Sequence, residues 1–243
     1  MIHHPLEPAV RLLLSLAVLV FLVTLRRGLF RAGPPPLWLD VSFALAFLVA
    51  LAFTYLPVLR DTLAWTFPIG GLLGWAAAGY SLARPRARAA FDRIADADAR
   101  VLLSFRMIFG VFVFLLAAVG AVPNVFALTA GVGDLIVGGV ALSLPGPLDE
   151  RGSRLARTVV HGLGTIDMLQ VAFMAITVVR PWSIANGNTA TFMALPWIAV
   201  PAMFALNAHG IRQACFTRVP RAAEPRGDGS ESPRRVRGAL PGA

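Results

Sequence analysis

Seven mostly apolar stretches, each about as long as a bilayer is thick, follow one another along this chain with only short polar connections between them. A helix needs about 20 residues to cross a hydrocarbon core of about 30 Å. Inside that core every backbone N–H and C=O must be satisfied within the segment, so runs of this kind fold as helices. The runs fall at roughly residues 9–25, 37–58, 63–83, 101–122, 124–144, 158–179 and 192–211. They predict an all-α integral membrane protein, a bundle of seven transmembrane helices. Only 14% of the residues are charged and 57% are hydrophobic, against about 25% charged in soluble domains. The first run is read as a retained span, not a signal peptide, because its positive cluster (Arg26, Arg27, Arg31) follows the apolar stretch.

Charge placement orients the bundle. All 22 basic residues are arginine. Eighteen fall after spans one, three, five and seven, against Arg11, Arg60 and Arg180 on the opposite side and Arg106 within a span. The positive-inside rule makes the crowded side cytoplasmic, with the N-terminus outside and the C-terminus inside. The same rule accounts for the net charge of +9, which therefore does not point to nucleic acid. The absence of lysine excludes a retinal Schiff base, and the single Cys215 excludes an internal disulfide. The expected organisation is a transmembrane domain over residues 1–216 and a disordered basic cytoplasmic tail over 217–243. The bilayer is the principal partner, with anionic headgroups for the tail, and a homo-oligomer is compatible with the pattern. No cofactor is expected.

Two carboxylates fall inside apolar runs, Asp134 in span five and Asp167 in span six. A charge at that depth costs at least ~2.5 kcal/mol and usually marks a pathway, relay or ligand. Ala127, Ala130, Gly131, Asp134, Gly138 and Ala141 recur at spacings of three and four, so they share a face. Small residues let helices approach in lipid, which turns Asp134 toward the bundle. Phe126, Leu128, Leu135, Ile136 and Leu142 occupy the remainder. Gly164 and Gln170 share the face of Asp167. Nearer the cytoplasmic end, Asp40, Arg106, His161, Asn207 and His209 read as one polar layer, with an ion pair between Asp40 and Arg106. Arginine at such a depth also snorkels readily to water. Gly70, Gly74 and Ala78 form a packing seam, and the tryptophans read as interfacial anchors. Pro196 and Pro201 are placed to bend or break span seven.

The run Phe126-Ala-Leu-Thr-Ala-Gly-Val-Gly-Asp-Leu-Ile-Val-Gly138 resembles a segment of uncharacterised bacterial multi-pass membrane proteins. Leu195-Pro-Trp-Ile-Ala-Val-Pro201, followed by His209, is similar to the last helix of the same group. The resemblance implies a bacterial inner-membrane protein and carries no activity with it.

Three functions compete. In a small permease or channel, Asp134 and Asp167 bind a proton or cation, two nearby carboxylates sharing one proton. In a scaffold, sensor or complex subunit, the polar residues only hydrogen-bond between helices. In a haem or metal protein, His161 and His209 supply ligands. No Ser/His/Asp ordering and no His-Glu-x-x-His supports an enzyme.

Overall fold

The computed structural model describes residues 5–30, 37–56, 63–94, 96–144, 150–186 and 195–216. Helices occur at all seven expected positions, and among the described residues there is no strand. They are α1 (Glu7–Leu29), α2 (Leu37–Tyr55), α3 (Leu63–Ala83), α5 (Asp96–Ala118), α6 (Asn124–Ser143), α7 and α8. Helix α7 runs over Glu150–Met174, a π turn at Ala175–Val179, and Arg180–Ala185. Helix α8 begins in a π turn at Leu195–Ala199 and continues over Val200–Phe216. Four of these helices contain segments long and apolar enough to cross a membrane: Glu7–Leu29, Asp98–Ala118, Asn124–Ser143 and Arg154–Ala185. The tail from residue 217 lies outside the described residues.

Large apolar side chains lie on the outside of the bundle, and its largely apolar core also holds buried charged and polar groups. Leu72, Leu155, Ile166 and Phe173 are largely exposed, while Arg106 and Asn207 are fully buried. Lipid is as apolar as leucine, so close packing and interhelical hydrogen bonds hold such a bundle together, with little driving force from apolar burial. Helix α5 is central, packing on α1 and α6; α7 packs along α8, and α8 also meets α3. Phe21 of α1 sits edge-on to Phe105 and Phe109 of α5, with ring centroids 5.8 and 5.9 Å away.

The turn between α5 and α6 sets up the site. Gly120 adopts φ +73°, a conformation L side chains rarely take. Its N–H donates to Ala117 O, and the Ala121 N–H donates to Leu116 O at 2.7 Å. These two bonds form a Schellman stop. The fully buried Leu116 and Ala121 are the residues at its ends. Pro123 then opens α6, and the two helices run back to back.

Several details differ from the sequence expectations. A short helix, α4 (Pro85–Phe91), occupies part of the connection after α3. Pro196 and Pro201 do not break α8; the first lies in its opening π turn and the second one turn on. The Gly70–Gly74 seam is present, lying against Trp197 and Pro201 of α8. Trp197 consequently packs between helices, as does Trp75 beside Phe204.

Helix α4 ends in a latch onto α8. Arg212 and Gln213 both hydrogen-bond the Asp92 carboxylate, Gln213 Nε2 at 3.0 Å. Phe91 stacks on His209 at 4.1 Å. Burial pushes the Asp92 carboxyl up, but the bonds from Gln213 and Arg212 outweigh it and hold the group below the usual carboxylate range. A lowered folded value means the contact stabilises above the ordinary carboxylate range and is lost as pH falls through the folded value. Asp92→Asn is therefore expected to cost no more than about 1 kcal/mol at neutral pH, since the pair is partly exposed. Melting curves of wild type and variant should converge in acid.

Candidate functional site

Arg106 projects from α5 about three turns beyond the helix start at Asp96. The helix begins in polar sequence, earlier than the apolar run suggests. Arg106 shares a face with the buried Phe109, Gly110 and Val113. Its side chain is 0% exposed. Snorkelling does not occur.

The guanidinium joins three helices. Its Nε donates to Asp134 Oδ1 of α6 at 2.8 Å. One terminal nitrogen donates to Asp167 Oδ2 of α7, and the other to the Gly164 carbonyl at 3.2 Å. Both carboxylates are buried, 9% and 10% exposed as side chains. One arginine thus links the two carboxylates. A guanidinium keeps its charge in proteins and offers a planar fork of donors matched to carboxylates. With both carboxylates ionised, the triad carries two negative charges against one positive charge.

Close backbone approach makes this geometry possible. A Cβ at Gly133 would collide with Asp167 Oδ1, so that carboxylate lies directly over the glycine. The small stripe of α6 is buried as the sequence indicates, with Ala127, Ala130, Asp134 and Ala141 all under 7% exposed. Phe126, expected to face outward, is also buried, at 3%. It lies immediately before a π turn at Ala127–Gly131. Such turns are frequent at functional sites. Straight-helix counting cannot anticipate one.

The expected polar layer divides into three parts. Asp40 does not pair with Arg106; it is partly exposed and held by Arg26 through bonds of 2.5 and 2.6 Å. His161 and Asn207 form a second group, with Nδ1 of the histidine 3.2 Å from the amide oxygen. Asn207 lies over Gly164, whose carbonyl Arg106 holds. This pair thus borders the triad instead of forming a separate layer. His209 faces elsewhere, its Nε2 3.3 Å from Ser81 Oγ of α3 and its ring on Phe91. His161 and His209 are not brought together as one ligand pair. Gln170 is exposed and takes no place beside Asp167. Among the described residues, no cluster of three His, Cys, Asp or Glu side chains forms a metal centre.

A narrow cavity with room for about one water molecule reaches Asp134. Phe109, Val113, Phe126, Met168, Leu195 and Met203 contribute to its wall, and among the described residues Asp134 is the only charged one lining it. It extends toward the end of the bundle where α6 and α8 begin and α7 finishes. The three π turns cluster at that same end.

A family model described as a domain of unknown function (DUF8737) matches residues 69–214. That range includes Arg106, Asp134, Gly164, Asp167 and Asn207. No curated protein and no solved structure matches the chain.

Proposed function

The chain belongs to the DUF8737 family, and we propose that it is a seven-span bacterial inner-membrane protein acting as a small permease or channel. In this reading the N-terminus is outside, the C-terminus is cytoplasmic, and the Arg106–Asp134–Asp167 triad loads and releases a proton or a monovalent cation. The arginine distribution and the helices at seven positions support the topology. One observation carries the function: two buried carboxylates share a single guanidinium. Such a cluster is electroneutral only when it holds one further positive charge. An isolated excess charge in a low-dielectric interior is costly, so the empty triad attracts that charge and its occupied state packs without penalty.

The test is ion flux into proteoliposomes. Wild type should conduct or couple to a proton or cation gradient, and Asp134→Asn and Asp167→Asn should each abolish that dependence. Unchanged gradient-dependent flux in both variants would refute the reading.

A second reading, a structural staple in a non-catalytic membrane component, draws on the three bonds that tie Arg106 to α6 and α7. It requires the same variants to lose stability while the wild type shows no ion uptake.

A further inference from the structure

The triad does not stand alone; one of its carboxylates forms the floor of an apolar cavity. We propose that the ion loaded at the triad is the proton, that it arrives from the π-turn end of the bundle on a water in this cavity, and that Asp134 is its acceptor. The inference rests on the proposed function and adds the identity of the ion and its side of entry.

Ligand supply decides between a proton and a metal cation. Hard cations take about six oxygen ligands. The cavity offers one carboxylate among apolar side chains, and space for about one water. Arg106, whose Nε is 2.8 Å from Asp134 Oδ1, adds a repelling positive charge beside any metal ion. A proton needs far less: one acceptor oxygen and one water to carry it. Arg106 occupies Oδ1 and leaves Oδ2 outside that bond. The step balances simply. An O–H bond of hydronium breaks, an O–H bond to the Asp134 carboxylate forms, neutral water remains, and the triad passes from net −1 to neutral.

The direction follows from what lines each side. Toward the π turns, the described groups facing Asp134 are those of the cavity, and among them none besides Asp134 is charged. The charged groups packed against Asp134 are Arg106 from α5 and Asp167 from α7. On the opposite side of the triad, Gly164 is covered by Asn207, which is 0% exposed and bonded to His161. His161 is the nearest further titratable group on α7, about 9 Å along the helix from Asp167. Among the described residues, packed polar groups fill that side. The cavity side holds the space.

Infrared difference spectroscopy on the full-length protein in lipid reads the acceptor directly. Acidification should produce the C=O stretch of a protonated carboxylic acid in wild type, and Asp134→Asn should remove it. Ala199→Leu fills the cavity, since Ala199 lines it and is fully buried. After a rapid pH jump it should slow the appearance of that band by about tenfold, a barrier increase of about 1.4 kcal/mol. Met203→Ala widens the same passage and should leave the rate unchanged or raise it, which gives a readout if the leucine variant does not fold. Sodium chloride added at alkaline pH should leave the carboxylate bands as choline chloride leaves them. A sodium-specific shift would overturn the proton assignment while sparing the proposed loading site. Retention of the acid band in Asp134→Asn would overturn the acceptor. A slower band in Met203→Ala, or no slowing in a folded Ala199→Leu, would overturn the entry route. No acid band at any pH together with no sodium effect would overturn both the inference and the function beneath it.

Discussion

Arg106→Leu should be the most damaging single substitution in this chain, costing about 3–5 kcal/mol, because it strands two buried carboxylates without their counter-charge. Asp134 and Asp167 are each at most 10% exposed as side chains, so water does not replace the lost guanidinium. The effect should fall chiefly on charge balance. Neutralising the partners in the triple variant Arg106→Leu, Asp134→Asn, Asp167→Asn should therefore recover most of the lost stability. Arg106→Lys should be intermediate, since a point charge cannot reproduce a fork that reaches two carboxylates and the Gly164 carbonyl. Thermal unfolding in detergent or nanodiscs measures all three. If the triple variant is no more stable than Arg106→Leu, the arginine acts by filling space and not by neutralising charge.

Gly133→Ala should be the next largest effect, at about 1–3 kcal/mol, the usual range for forcing atoms into a packed site. The added methyl would collide with Asp167 Oδ1. The carboxylate cannot swing clear at no cost, because its other oxygen is held by Arg106. Gly139 provides the control on the same helix. Nothing lies within 4 Å of a Cβ built there, so Gly139→Ala should be neutral or slightly stabilising, alanine being the better helix former. Equal destabilisation by the two substitutions would show that Asp167 is not pressed onto Gly133.

What the amino-acid sequence discloses here divides along a physical line. Apolar length and the period of small residues are properties of one segment, and both are legible. The seven helix positions and the buried stripe of α6 follow from them. The partner of a charge is a property of two or three segments, and depth was the only clue available. Counted from the apolar Val101, Arg106 lies five residues in and reads as a boundary residue level with Asp40. The helix instead begins in polar sequence at Asp96, where hydropathy is silent. A face count from Arg106 through Phe109, Gly110 and Val113 would have marked it as inward-facing. The π turn at Ala127–Gly131 was illegible for another reason, since periodicity assumes a regular ladder and the turn is a local departure from it. The divergence of His161 and His209 could not be read at all without knowing which helices flank α8.

The odd number of charges in the triad has an electrical consequence. Moving one elementary charge across a whole membrane against its potential involves about 2.3 kcal/mol per 100 mV. Asp134 sits halfway along Asn124–Ser143, so a proton reaching it from one face traverses about half of that field, or about 1 kcal/mol. On the proposed function, loading the triad with a proton is an electrogenic event, and the polarity of the membrane biases which of the two charge states is favoured.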